Sequence, residues 1–204
     1  MTRSVDLRSS DLHGSLHGSA PDKSPVALLL IDVINDLDFP EASQLLQHAL
    51  PMARRLKEFK KRLKQDGVPA IYVNDNFGRW RSDFRAQVDH CLHDDTLGQP
   101  LVELLEPEED DYFVLKPKHS GFFSTTLEVL LRYLEVHTLI LTGIASDICV
   151  LFTANDAYMR DYRLFIPSDC VAANTRGEND HALQEMQRVL KANIDPCARF
   201  SLDK

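Results

Sequence analysis

The stretch Leu141–Val150 (LTGIASDICV) leads from a buried strand through a tight turn into the first turn of a helix, and it carries Cys149 at the start of that helix. A strand followed directly by a helix is the repeating unit of parallel α/β sheets. A thiol in the first helical turn faces unpaired backbone N–H groups and the positive end of the helix dipole, which both favour the thiolate. Ser146 is the predicted N-cap of this helix, which would hold the sulfur in the first turn. The stretch therefore predicts a parallel α/β fold and a reactive sulfur.

The same strand-and-helix pattern recurs along the rest of the chain. The continuous apolar run Val26–Val33 is typical of a strand that is covered on both faces. Further strands are predicted at 69–74, 112–116, 137–141, 163–167 and 198–202, and helices at 41–65, 126–135, 147–161 and 178–192. Strands that alternate with helices predict a three-layer αβα sandwich around a six-stranded parallel sheet, which is a Rossmann-like α/β fold.

Length, charge and cysteine content limit the classes to which the protein can belong. The 204 residues suit a single domain at 25–204, preceded by a polar, flexible arm at 1–24. A formal net charge of −8 argues against general nucleic-acid binding, and no apolar run reaches the roughly 20 residues needed to cross a bilayer. The four cysteines form no CxxC pair and no secretion signal is visible, which predicts reduced thiols in a cytoplasmic protein.

Three reactive side chains are predicted at the carboxyl ends of strands, where ligands bind in open parallel sheets. They are Asp32, Lys116 and Cys149. Each alone has a simple structural explanation, as a turn cap, a solvated lysine or a small core residue. Together they constitute a mechanism, because a thiolate attacks a carbonyl-type carbon while a carboxylate accepts and returns the proton and an ammonium stabilises both anions. Backbone N–H groups of the turn at 143–146 and of Cys149 are available to a developing oxyanion.

Three motifs around these residues resemble the isochorismatase-like cysteine hydrolases, the family of the nicotinamidases and N-carbamoylsarcosine amidase. The motifs are Ile31–Asp36 (IDVIND), Lys116–Phe122 (KPKHSGF) and Gly143–Val150 (GIASDICV). The resemblance implies that Asp32, Lys116 and Cys149 are catalytic. It also implies an oxyanion hole formed by the backbone amides of Ala145 and Cys149, with a cis peptide between Ile144 and Ala145.

The strand order of that family places strands one and four side by side and strand three two places from strand one. At about 4.8 Å per strand, the backbone at Lys116 would then start near 10 Å from Asp32, a gap that a lysine side chain covers for the most part. Lys118 is the alternative, but its side chain shares that face only if the strand continues so far. The spacing to Ser120–Phe122 favours Lys116.

The loop from Asn74 to Phe84 is the predicted specificity element. Asn74 and Asn76 offer amide groups to a polar substrate, and Trp80 either walls the pocket or packs under its own loop. Phe122 likewise faces either the substrate or the core. The zinc site of nicotinamidases uses an Asp-x-His pair at the position where this chain reads Asn74–Asp75–Asn76, so no metal and no other cofactor is predicted.

These observations favour a cysteine hydrolase that cleaves a C–N bond of a small amide, carbamoyl or imide-like substrate through a thioester on Cys149. One alternative is isochorismatase-type hydrolysis of a vinyl ether without a covalent step, which the presence of the cysteine disfavours. Another is a non-enzymatic role in small-molecule binding or protein interaction. The expected partners are a small-molecule substrate and further copies of the chain in a homo-oligomer. Neither nucleic acid nor a membrane is an expected partner.

Overall fold

A six-stranded parallel sheet forms the centre of the protein in the computed structural model, which describes residues 23–78 and 83–202. The strands are β1 (Val26–Ile31), β2 (Ala70–Asp75), β3 (Tyr112–Lys116), β4 (Thr138–Ile144), β5 (Arg163–Phe165) and β6 (Val171–Ala172). The α-helices are α1 (Ala42–Gln65), α2 (Phe84–His93), α3 (Gln99–Leu104), α4 (Leu127–Tyr133), α5 (Leu151–Tyr158) and α6 (Arg176–Leu190). The strand order is β3-β2-β1-β4-β5, with β6 paired to β4. This confirms the predicted fold and the adjacency of the first and fourth strands.

Apolar side chains cover both faces of the sheet. In β1, Leu28 and Leu30 belong to the hydrophobic cluster that α1, α2 and α3 cover, whereas Leu29 and Ile31 belong to the cluster on the opposite face under α4, α5 and α6. All six residues of β1 are buried. Because side chains alternate between the faces of a strand, an uninterrupted apolar run is what a strand between two helical layers requires.

Gly143 allows β4 to approach β1 closely at the carboxyl edge of the sheet. It pairs with Ile31, and a Cβ atom at this position would lie 2.1 Å from the carbonyl oxygen of Ile31. Its φ of +110° is also one that side chains rarely adopt. On the other side of β4, Gly143 pairs with Val171 of β6. The end of β4, which leads to Cys149, is thus held from both sides.

The predicted sixth strand at 198–202 is wrong. The segment holds a short 3₁₀-helix, Cys197–Arg199, and the sixth strand is Val171–Ala172. Phe200 instead packs its ring against Phe59 and Phe165, with ring centroids 5.9 and 4.9 Å apart. The apolar residues of this segment therefore cover the core rather than extend the sheet.

The start of the helix that carries Cys149 also differs from the prediction. Residues Ser146–Val150 form one turn of π-helix before α5 begins. Ser146 is buried and does not cap the helix, and no described residue forms a hydrogen bond with its Oγ. Helices α2 and α3 were not predicted. Of the predicted arm, only Lys23 and Ser24 are described, and no helix within the described part of the chain is long and apolar enough to cross a membrane.

Candidate active site

Asp32 and Lys116 meet at the carboxyl edge of the sheet. Asp32 follows β1 directly, with φ of +52°, and Lys116 is the last residue of β3. The Lys116 side chain passes over β2, which separates their strands, and its Nζ lies 2.8 Å from Oδ2 of Asp32. Lys116 is fully buried, whereas Lys118 is exposed. The structure therefore pairs Asp32 with Lys116, as predicted.

The Cys149 sulfur completes this group. It lies 3.5 Å from Nζ of Lys116, the same ammonium that binds the Asp32 carboxylate. Cys149 is half-buried, so its sulfur remains within reach of a small molecule. The three side chains that the sequence identified are thus brought together around one ammonium group.

The protonation states follow from burial and from the charges around that ammonium. Burial raises the pKa of Asp32 above its ordinary value, although Lys116 acts in the opposite direction. Burial also raises the pKa of the Cys149 thiol, and the negative charge of Asp32 adds to this effect. For Lys116, burial disfavours the charge, but Asp32 and then Cys149 outweigh it and raise the pKa. Burial and the charge of Asp32 thus oppose the thiolate that the helix start was expected to favour, whereas Lys116 acts in favour of it.

Two further side chains adjoin this group, Asp75 and His119. Asp75 is paired in register with Lys116, and its Oδ2 lies 3.5 Å from the lysine Nζ. Its backbone N–H donates to Oδ1 of Asp32 at 2.7 Å. On the other side, Nδ1 of His119 lies 3.9 Å from the Cys149 sulfur. Asp75 could have been found from the sequence, because it ends β2 and Lys116 ends the neighbouring strand β3.

The two asparagines predicted to bind substrate are engaged with the protein backbone instead. Nδ2 of the fully buried Asn74 donates to the carbonyl oxygen of Ile34 at 2.5 Å, which supports the segment after Asp32. Oδ1 of Asn76 accepts from the backbone N–H of Gly78 at 2.9 Å and closes a turn. Both amides shape the loops around the site, a role that the sequence did not indicate.

The aromatic residues predicted at the pocket divide into one that packs in the core and one that is not described. Phe122 is buried in the cluster under α4, α5 and α6, and its ring lies 4.8 Å from the Arg160 guanidinium carbon and 6.0 Å from the Tyr162 ring. Of the two alternatives for Phe122, the structure shows the core position, so the predicted substrate contact is not supported. Trp80 lies outside the described residues.

The turn between β4 and the π-helical turn has the form that the resemblance implies. The peptide bond between Ile144 and Ala145 is cis. The carbonyl oxygen of Ala145 accepts from the backbone N–H groups of Ile148 and Val150, at 3.1 and 3.2 Å. The backbone of Ala145 is thereby tied to the turn that carries the sulfur.

A large cavity lies at the opposite edge of the sheet. Its volume is about 1260 Å³, and it is lined near the first residues of three strands, Val26, Thr138 and Arg163. None of its lining residues, in the described part of the chain, is a cysteine or a histidine. The reactive side chains are therefore grouped at the carboxyl edge and not in this cavity.

The isochorismatase domain model matches residues 26–195, which include all three motifs and all six strands of the sheet. The chain belongs to the isochorismatase family. This family membership makes it a hydrolase.

Individual relatives agree with this membership. An isochorismatase family protein of Bacillus subtilis, YaaI, described as uncharacterized, is 40% identical over 172 residues, which are 84% of this chain and 94% of that protein. The ureidoacrylate amidohydrolase RutB of Methylorubrum extorquens is 40% identical over 85 residues, which cover 42% of this chain but only 33% of RutB. Among solved structures, N-carbamoylsarcosine amidase from Thermoplasma acidophilum has a TM-score of 0.66 at 25% identity, covering 88% of this chain and all of that one.

Proposed function

We propose that this isochorismatase-family protein is a cysteine hydrolase that cleaves a C–N bond of a small amide or N-carbamoyl compound, with Cys149 as nucleophile. The observation that carries the proposal is the Lys116 ammonium, which lies 2.8 Å from a carboxylate oxygen of Asp32 and 3.5 Å from the sulfur. A buried cation between a carboxylate and a thiol suits a site in which a proton moves from one to the other.

Asp32 is the proposed proton acceptor. In the resting state its carboxylate is paired with the Lys116 ammonium, which also lies 3.5 Å from the Cys149 sulfur. As the sulfur attacks the carbonyl carbon, the thiol proton passes to Asp32, so that the negative charge moves from the carboxylate to the substrate. The pKa of Asp32, which burial raises, makes it a stronger base than an exposed aspartate.

The backbone N–H groups of Ala145 and Cys149 are the proposed donors to the oxyanion. The carbonyl oxygen gains negative charge as the sulfur–carbon bond forms, and fixed donors stabilise that charge without reorganisation. Asp32 then returns the proton to the leaving nitrogen, the carbon–nitrogen bond breaks, and ammonia or an amine departs from an acyl thioester.

Water completes the cycle by the same route. Asp32 accepts a proton from water as the oxygen attacks the thioester, and the proton then passes to the departing sulfur, which restores the thiol. Lys116 keeps its charge throughout and offsets whichever neighbour is anionic. The pKa of Lys116, raised by its anionic neighbours against the effect of burial, supports this role.

The substrate class rests on the named relatives. N-carbamoylsarcosine amidase and ureidoacrylate amidohydrolase are both named for substrates that carry a carbamoyl group on nitrogen. We therefore place small N-carbamoyl compounds first among the candidate substrates, followed by simple amides.

The test is a screen of small N-carbamoyl compounds and amides for ammonia release. Wild-type protein is expected to release ammonia from at least one of them, and Cys149→Ala to lose this activity. Asp38→Asn, which changes an exposed carboxylate in the segment after β1, is the matched control and keeps the wild-type rate. Undiminished turnover by Cys149→Ala would refute covalent catalysis, and hydrolysis of isochorismate by that variant would favour the vinyl-ether alternative.

A further inference from the structure

A second group of reactive side chains lies away from the candidate active site. Asp169 and Cys170 precede β6, and Cys197 begins the 3₁₀-helix near the end of the chain. One ligand atom from each, the two sulfurs and a carboxylate oxygen, lie within 4.8 Å of one another. Cys170 is buried, whereas Asp169 and Cys197 are partly exposed. The group is therefore closed on one side and open to solvent on the other.

The separations within this group are close to those of a tetrahedral metal site. The Cys197 sulfur lies 3.4 Å from Oδ2 of Asp169, and the Cys170 sulfur lies 3.8 Å from Oδ1. With zinc bonds of about 2.3 Å to sulfur and about 2.0 Å to oxygen, the edges of a tetrahedron measure roughly 3.5–3.8 Å. Because the three ligand atoms lie within 4.8 Å of one another, movements of about 1 Å place one ion at bonding distance from all of them.

The carboxylate is already oriented by the backbone. Oδ1 of Asp169 accepts from the backbone N–H of Cys197 at 2.8 Å. Such outer hydrogen bonds orient ligands in metal sites and contribute to metal affinity. The carboxylate is thus held between the two sulfurs.

We propose that Asp169, Cys170 and Cys197 form a zinc site, with the fourth position taken by water. Two thiolates and one carboxylate suit Zn²⁺, which accepts sulfur and oxygen ligands and is often bound by three protein groups and a water molecule. Binding exchanges two thiol protons for the ion, so that the group keeps one net negative charge. Arg62, whose Nη2 donates to the carbonyl oxygen of Cys197 at 2.6 Å, offsets that charge.

This zinc site is separate from the candidate active site. Cys170 and Cys197 pack with the hydrophobic cluster under α1, whereas Cys149 packs with the cluster on the opposite face of the sheet. The site would fasten the end of the chain to the segment before β6, and the carbonyl oxygen of Cys170 accepts from the backbone N–H of Gly143 at 3.0 Å. The proposed site would cross-link these two segments, and it does not depend on the proposed function.

The test uses the reduced, chelator-treated full chain carrying Cys149→Ser. This substitution removes the other partly exposed cysteine, so that metal binding at the candidate active site does not contribute to the titration. Titration with zinc is expected to give one bound ion per chain and the release of up to two protons. Titration with cobalt is expected to produce sulfur-to-cobalt charge-transfer absorption and the visible bands of a tetrahedral ion. Zinc is also expected to raise the melting temperature.

Adding Cys197→Ser to this background is expected to lower the zinc affinity at least roughly a hundredfold, since even outer-shell partners contribute 10–100-fold. Cys197 is partly exposed, so this change spares the core, and circular dichroism checks the fold. Cys91→Ala, which removes a buried cysteine outside the group, is the matched control and keeps the affinity. No stoichiometric zinc in the reduced protein, or unchanged binding in the Cys197→Ser variant, would overturn the proposal.

Discussion

Replacing Asp32 by asparagine is expected to make the Cys149 sulfur more reactive toward alkylation while it slows hydrolysis. In the native protein, the carboxylate disfavours the thiolate by its charge, and it also accepts the thiol proton during the proposed reaction. Asparagine retains the size of the side chain but removes both the charge and the basicity. The two readouts should therefore change in opposite directions.

The size of the first effect follows from the site geometry. Oδ2 of Asp32 and the Cys149 sulfur lie 2.8 and 3.5 Å from the same Nζ atom, so they are at most about 6.3 Å apart. At this largest separation and an effective dielectric constant of ~20, two like charges repel by about 2.5 kcal/mol, and a shorter separation increases the repulsion. Loss of this repulsion therefore increases the thiolate fraction by at least roughly 70-fold at a pH below the thiol pKa. General-base catalysis contributes roughly 10²–10⁴-fold, which sets the expected loss of kcat.

The assay is alkylation by iodoacetamide over a range of pH, with the modified cysteine identified by peptide mass mapping. In Asp32→Asn, the rate at Cys149 is expected to rise and its pH midpoint to fall, whereas Asp38→Asn should match the wild type. The reasoning would be refuted by slower or unchanged alkylation in Asp32→Asn, because the carboxylate would then not oppose ionisation of the sulfur.

The remaining predictions concern the cation, the glycine at the end of β4 and the nearby imidazole. In Lys116→Met, the pKa of Asp32 should rise further because the ammonium that favours its ionised form is lost. Since the ionised form is the base, the acid limb of the kcat/KM profile should move to higher pH. An acid limb at the wild-type pH would contradict the role assigned to Lys116. Gly143→Ala should lower the free energy of unfolding by about 2–5 kcal/mol, since it combines a strained φ with a backbone clash. The control in urea denaturation is Gly67→Ala, where φ is +77° but nothing lies within 4 Å of the new Cβ. This control should lower the free energy of unfolding by less. His119→Ala should keep kcat within about tenfold, because the proposed base is Asp32, and a loss of 10²-fold or more would assign that role to the imidazole.

The sequence predicted the parts of the fold that rest on long apolar patterns. The run of β1 and the helical spacing along α1 extend far enough to define an element. Strand β6 has only two residues, Val171 and Ala172, and no periodicity can be read from two residues. The segment after Cys197 carries apolar side chains because it covers the core, and a pattern alone does not distinguish this from a strand.

For the candidate site, the sequence identified the residues but not their electrostatic state. Asp32, Lys116 and Cys149 could be placed together because parallel strands bring their carboxyl ends to one edge. The protonation of the sulfur depends on burial and on the distance to Asp32, and neither can be read from spacing. Asn74 was assigned to the substrate because its amide group suits a polar ligand, but its amide nitrogen donates to the carbonyl oxygen of Ile34.

The close pairing of β4 with both β1 and β6 has a consequence for how substrate range can change in proteins of this kind. The sulfur is carried by the segment that follows β4, whereas the predicted specificity loop, 74–84, follows a different strand, β2. We expect mutations in that loop to alter which molecule is admitted without displacing the nucleophile. One reaction centre can thereby serve diverging metabolic needs, and new specificities do not require the chemistry to be rebuilt.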